Sequence, residues 1–264
     1  MGELYALVSA GGSPGVTTAA LALALNWPAQ AIVAECDPSG GDILAGLLSG
    51  HEPAGRGLME HAIEAGRGDH AAAASLSAQL IPLDDDRTRM VLPGLTDPRQ
   101  AAGMASAWPA VAAALAAQPA DVIADCGRLD AGPGQPHAVL SAARTVSIVL
   151  RPTLRQAWSA QPRVEMISQL LGDSSRLTLL LSGPGSYTAH EMAHALGVPV
   201  AAVLAADSRT ARLLSDGARG PRQFGDGPLM RSARAAGQAL RGASFRDGQW
   251  RDMASYSIVR TDLG

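Results

Sequence analysis

The run Ala10-Gly11-Gly12-Ser13-Pro14-Gly15-Val16-Thr17-Thr18 follows a short apolar segment and leads into an Ala/Leu-rich stretch. Strand, glycine-rich turn and helix in that order make an anion site, because consecutive backbone N–H groups and the positive end of the helix dipole converge on one phosphate. The expected phosphate loop is Gly11, Gly12, Ser13, Pro14, Gly15, Val16, Thr17 and Thr18. A threonine in the first helical turn can offer its hydroxyl to Mg²⁺, the role expected of Thr17. Two further segments carry acids where strands should end: Glu35-Cys36-Asp37-Pro38-Ser39-Gly40-Gly41-Asp42 and Asp121-Val122-Ile123-Ala124-Asp125-Cys126-Gly127. In a doubly wound sheet ligands sit at the carboxyl ends of the strands, so Asp37 and Asp125 should face the glycine loop. There they can hold Mg²⁺ or, in the case of Asp37, orient water.

The elements that must position these groups can be read from short apolar runs spaced to leave a helix between them, the pattern of repeated strand-helix-strand units. Strands are expected at Leu4 to Ser9, Ala31 to Cys36, Arg89 to Leu92, Asp121 to Asp125, Thr145 to Leu150, Leu177 to Leu181 and Val198 to Leu204. Helices are expected at Thr17 to Asn26, Gln100 to Ala117, Leu154 to Leu171, Ala189 to Leu196, Ser208 to Ala218 and Leu229 to Leu240. Pro93-Gly94, Gly132-Pro133-Gly134 and Gly183-Pro184-Gly185 mark turns. Residues 50 to 83 are the least regular, and neither an internal repeat nor a linker divides the chain. The expectation is one α/β domain over residues 1–264, with a mainly parallel sheet of about seven strands and helices on both faces.

The 264 residues are 47% apolar, ample for one continuous core. No apolar run approaches the roughly 18–20 residues of a membrane span, so a cytoplasmic protein is expected. Cys36 and Cys126 are too few and too far apart for a disulfide framework and read as small buried hydrophobes. Net charge is −3, with ten arginines against six aspartates from residue 205 onward (+4) and −7 on the remainder. That basic C-terminal segment is a candidate for weak, non-specific DNA contact. The chain contains no lysine, and all 21 basic residues are arginine.

The order of these segments resembles the ParA/MinD family of partition and positioning ATPases, and more narrowly its CpaE/TadZ-like branch associated with pilus and secretion machinery. The family loop reads GKGGxGKT; aligned on Gly15 and Thr17 it puts Ala10 at the first glycine, Gly11 at the signature lysine and Val16 at the P-loop lysine. The family's DxDP motif matches Glu35, Asp37 and Pro38, and its Walker B aspartate matches Asp125. The similarity continues through Val149-Leu150-Arg151-Pro152, through Leu180-Leu181-Ser182 where the family often has an adenine-contacting Asn, and through Leu196-Gly197-Val198-Pro199-Val200, about 90% of the chain. It implies a P-loop NTPase of the deviant Walker A type that takes ATP and Mg²⁺, pairs as a homodimer across the nucleotide face, and works with a protein partner in a pilus, secretion or partition system.

Both family lysines are absent. A lysine on phosphate contributes a charge-assisted hydrogen bond of roughly 1.5–3 kcal/mol, about 10- to 100-fold in affinity. Turnover loses more, since a cation on the transferring phosphoryl group can be worth about 10³ to 10⁵ in rate. Arg128 and Arg151, at strand ends, are the candidate substitutes. The expectation is a site that binds nucleotide weakly with little or no hydrolysis; the alternative is a pseudo-ATPase scaffold for a motor protein or DNA. Gly11 cannot reach a second subunit's phosphate as the signature lysine does, so pairing must rest on surface packing or an arginine.

A competing motif is His190-Glu191-Met192-Ala193-His194, which matches the HExxH of zinc peptidases. No His or Glu follows residue 194 to serve as third ligand. A surface helix with Met192 and Leu196 facing the sheet is the simpler reading. The acids and histidines from His51 to His70 read as a solvated face, His137 stands alone, and the tail from Ser244 to Gly264 offers no convincing membrane anchor.

Overall fold

The computed structural model describes residues 1–11, 14–50, 55–65, 75–130, 132, 134–217 and 227–242. Strand β1 (Leu4–Ser9) is buried along its length, and its alternation sends Leu4, Ala6 and Val8 into one apolar cluster and Tyr5 and Leu7 into another. A strand buried on both faces belongs at the centre of a sheet covered by helices on each side. The others are β2 (Ala31–Glu35), β3 (Ile81–Pro82), β4 (Arg89–Leu92), β5 (Asp121–Arg128), β6 (Thr145–Leu150), β7 (Leu177–Ser182) and β8 (Val200–Leu204). They form one eight-stranded sheet in the order β3-β4-β2-β5-β1-β6-β7-β8, parallel except for the β3–β4 pair. The chain winds outward from β1 in both directions, which places the topological switch, and any ligand crevice, at the carboxyl end of β1.

The helices are α1 (Val16–Leu25), α2 (Leu58–Ala65), α3 (Trp108–Ala116), α4 (His137–Ala142), α5 (Leu154–Leu171), α6 (Ala189–Leu196), α7 (Ser208–Asp216) and α8 (Pro228–Gly242). One cluster takes the inner faces of α2 through α6, and the other takes α1, α7 and α8. Helix α1 (VTTAALALAL) is apolar nearly all round, as a helix wedged between a sheet and a second helix must be. Seven of its ten residues are buried. The lower end of the sheet is tied to α8 through Asp121, whose carboxylate accepts from Trp27 Nε1 at 2.8 Å, from the Glu3 N–H at 2.9 Å and from Arg241 Nε at 2.8 Å.

All seven expected strands are present; the eighth, β3, is a two-residue edge strand ending in Pro82, too short for any alternation to show. The helix expected over Gln100 to Ala117 is broken into a 3₁₀ turn (Pro98–Gln100), a single turn (Ala101–Met104) and α3. Pro109 lacks an N–H and is tolerated only in a first helical turn, so the helix restarts at Trp108. Helices α2 and α4 were not expected. His61 of α2 is fully buried rather than solvated, and burial lowers its pKa, keeping the ring neutral. His51, His70, Ala218 and the tail from Ser244 lie outside the described residues.

Candidate functional site

Ser9 ends β1, and the chain enters α1 through Gly15, which sits at φ 90° in the left-handed region that favours glycine. No side chain caps α1, so the N–H groups of its first turn are turned to whatever lies before the helix. What lies there is a cleft of about 710 Å³. Its walls are the loop end at Pro14 to Thr18, the segment after β2 with Asp37 and Asp42 to Gly46, the β5 terminus at Gly127 and Arg128, and the α7 terminus from Leu214 to Asp216. Gly12 and Ser13 lie outside the described residues, and Gly11 lies against Ser159 of α5.

The strand ends bring the two expected aspartates together. Glu35 and Leu7 both pair in register with Asp125. The Asp125 carboxylate is buried, accepts the Thr17 hydroxyl, and takes the Gly127 N–H at 3.0 Å. Burial, with help from the neighbouring charges of Asp37 and Glu35, pushes its pKa up to about 7. Asp37, half-buried, has its pKa raised chiefly by burial, and its Oδ1 accepts from the Ser39 N–H at 2.7 Å. A Cβ on Gly127 would overlap the Asp37 carboxylate, so the absence of a side chain there is what lets Asp37 reach the Asp125 strand end. Because Gly127 also holds φ 60°, Gly127→Ala is expected to displace Asp37 and cost about 1–3 kcal/mol, read as a lowered urea midpoint.

Glu35 has a different task. It is buried, its Oε1 accepts from the N–H groups of Asp42 (2.8 Å) and Ile43 (2.9 Å), and its Oε2 accepts from Gly94 (3.0 Å). Gly41 and Gly94 pack so closely on it that a Cβ at either would collide with the Glu35 side chain. Burial raises its pKa while the three backbone donors oppose the shift. Glu35 therefore clamps the segment that forms one wall of the cleft. That wall reaches α7 through Gly46 and Gly217, whose close backbone approach leaves no room for a side chain on either.

Val16, in the position the resemblance gives to the P-loop lysine, is 7% exposed and belongs to the same apolar cluster as Leu7, Leu21 and Ile43. Among the described cleft residues the one cation is Arg128, 3.4 Å from Asp130, against the carboxylates of Asp37, Asp42 and Asp216. Arg151 and Ser182 stand at the ends of β6 and β7, outside the cleft lining. Thr17, Asp37 and Asp125 supply hard oxygen donors of the kind Mg²⁺ prefers, which fits that ion and no soft metal. The wall at Asp42 to Gly46 and at Leu214 to Asp216 was not foreseen; the Gly40-Gly41 pair was its visible signal, but only tertiary contact shows what it packs against.

The HExxH segment forms helix α6 with both imidazoles exposed and Met192 and Leu196 buried. Glu191 is spent on a capping box with Thr188, its Oε2 accepting the Thr188 N–H at 2.7 Å. Among the described residues no group of three or more His, Cys, Asp or Glu is arranged to hold a metal. Cys36 and Cys126 are free and buried; their mutual hydrogen bond and burial push the Cys126 thiol well above its ordinary pKa.

A parallel sheet switching direction at β1, a glycine loop into α1, one acid on the adjacent strand β5 and another just past the end of β2 define the P-loop NTPase fold. No protein-family model matches the chain, and the comparison with curated proteins finds no relative. Solved structures do match in fold. A ParA family ATPase from Chlorobium tepidum TLS superposes with a TM-score of 0.70 at 15% identity, covering 90% of this chain and 99% of that one. The septum site-determining protein MinD from Pyrococcus horikoshii OT3, complexed with Mg-ADP, gives 0.67 at 14% identity, covering 97% and 100%. A chain of the MinC:MinD cell division protein complex of Aquifex aeolicus gives 0.67 at 14%, covering 92% and 97%. The chain thus has the fold of ParA and MinD ATPases over nearly its whole length. No described helix is long and apolar enough to cross a membrane.

Proposed function

We propose that the chain is a ParA/MinD-like positioning protein of the CpaE/TadZ-like branch, one domain in extent, whose cleft takes ATP with Mg²⁺ weakly and turns it over slowly or not at all. One observation carries this reading: the first turn of α1, Thr17 on Asp125, Asp37 and Arg128 converge on a single cleft in which the lysine position is filled by a buried valine. The backbone N–H groups of α1 and its dipole would hold phosphate. Thr17 and Asp37, with Asp125 behind them, would hold Mg²⁺, which when bound neutralises phosphate charge and offsets the carboxylates of the cleft. Arg128, which lines the same cleft as the loop end and pairs in the sheet with Ser9, would contact phosphate once released from Asp130; Arg151 and Ser182 would serve only a nucleotide extending beyond the cleft toward β6 and β7.

A second reading is a scaffold that binds no nucleotide, favoured by the excess of carboxylates lining the cleft. In either reading the protein works with a partner in a pilus, secretion or partition system. Pairing of two copies would rest on packing, and DNA contact on the C-terminal segment. Calorimetry with ATP and Mg²⁺ separates the two readings: no heat at millimolar nucleotide removes the first. Val16→Lys is the sharper probe. The ammonium is expected to tighten ATP binding about 10- to 100-fold, and a variant that binds no better shows the cleft serves another ligand.

A further inference from the structure

Helix α6 carries two of the chain's six histidines, His190 and His194, four residues apart and both exposed. Positions four apart on a helix lie one turn from each other on the same side, with Cβ atoms about 5–6 Å apart. Met192 and Leu196 repeat that spacing two residues further on, and they are the buried pair. Two residues turn a helix by about 200°, so the imidazole stripe points away from the apolar cluster that takes Met192 and Leu196.

The stripe is held in place from both ends. Thr188 Oγ1 accepts from the Glu191 N–H at 3.2 Å, and Glu191 Oε2 accepts from the Thr188 N–H at 2.7 Å and its hydroxyl at 2.8 Å. Gly197, at φ 64°, closes the other end in the left-handed region. The histidines take no part in this scaffold: among the described residues neither ring makes a hydrogen bond or a salt bridge. From Leu177 to Ser208 the chain has no arginine, so the segment brings no guanidinium to repel a cation.

We propose that His190 and His194 form a two-histidine clamp on α6 for a divalent transition ion, with water completing its coordination. A neutral imidazole offers one lone pair, and its bond to such an ion is about 2.0–2.1 Å long, so two rings one helical turn apart can share a single ion. The donors fix the class. Imidazole nitrogen suits Cu(II), Ni(II) and Zn(II), with Cu(II) held most tightly, whereas Mg²⁺ and Ca²⁺ demand oxygen. The oxygen donors of the cleft, Thr17, Asp37 and Asp125, select in the opposite sense. The clamp holds an ion without peptidase chemistry, because Glu191 is bound in its capping box rather than placed as a general base. It is independent of the nucleotide reading, since α6 contributes no residue to the cleft.

The test uses the full chain, free of any affinity tag and stripped of metal, titrated with Cu(II), Ni(II), Zn(II) and Mg²⁺ beside His190→Ala, His194→Ala and Glu191→Gln. One Cu(II) per chain is expected at the clamp, bound more tightly than Ni(II) or Zn(II). Loss of either histidine turns a chelate into a single ligand and should weaken binding about 100-fold. The paramagnetic resonance of bound Cu(II) should show two imidazole nitrogens in the wild type and one in either histidine variant. Metal-free unfolding midpoints should not move, because both rings are exposed and unbonded. Glu191→Gln should bind as the wild type does, since glutamine completes the capping box equally well. Cu(II) binding that survives both histidine substitutions overturns the proposal, because the ion then sits elsewhere. So does binding lost in Glu191→Gln, which would make the carboxylate a ligand, or displacement of Cu(II) by an equal concentration of Mg²⁺, which would place the ion among oxygen donors.

Discussion

Glu35→Ala is expected to destabilise the protein by about 3 kcal/mol or more and to loosen one wall of the cleft. Three backbone N–H groups, those of Asp42, Ile43 and Gly94, have the buried Glu35 carboxylate as their acceptor. Hydrogen bonds to a charged acceptor contribute about 1.5–3 kcal/mol each, and donors stranded in a buried site add their own desolvation cost. Part of that loss is returned, because removing the carboxylate also removes the cost of burying it, the burial that raises its pKa. Glu35→Gln separates the contributions. Its carbonyl can still accept from Asp42 and Ile43, while its amide opposes the Gly94 N–H, so it should lose about a third to half as much. Urea midpoints measure the stability, and hydrogen exchange at the Asp42, Ile43 and Gly94 amides locates it. An alanine variant with wild-type protection at those amides would show that Glu35 does not hold the segment.

The second large effect runs in the opposite direction. In the absence of Mg²⁺, Asp125→Asn is expected to be more stable than the wild type at pH 8. The folded-state pKa of Asp125, about 7, lies above the ordinary aspartate value of 3.8. For a group raised in this way, the stabilisation belongs to the protonated form. It is complete below the unfolded pKa, declines from about pH 4, and is gone once the pH has passed 7. A shift of some three pH units corresponds to an upper limit of about 4 kcal/mol at pH 8. Asparagine imitates the protonated acid, can still accept from the Gly127 N–H and the Thr17 hydroxyl, and does not titrate. The advantage of the variant should therefore fade between pH 7 and pH 4, and thermal unfolding at a series of pH values measures it. At roughly 2–4 °C per kcal/mol for a chain of this size, the difference is readily resolved. A pH-independent gap, or an asparagine variant less stable at pH 8, would contradict the assignment. Millimolar Mg²⁺ should stabilise the wild type more than the variant, since the ion would replace the missing positive charge.

Much of this architecture is legible in the order of residues. The apolar run of Leu4–Ser9, the spacing of such runs and the glycine-rich turn before α1 express local geometry, so five of the expected elements, β1, β4, β6, α5 and α6, fall on their expected bounds. The pairing of Asp37 with Asp125 was also readable, because strand ends in a doubly wound sheet share one edge. Chain order could not show which way a side chain at a strand end turns. Glu35, two residues before Asp37, points into the loop behind it and serves as a clamp, and that follows from where Gly41 and Gly94 come to lie. The composition established that no lysine reaches the phosphate loop. Only the tertiary structure decided what took its place: Val16 sits in the apolar cluster between sheet and helix, and the cleft it borders is lined by carboxylates from the segment after β2 and from α7. Those two segments are some 170 residues apart in sequence. Burial and charge at a shared site are sums over neighbours in space, and a sequence lists neighbours along the chain.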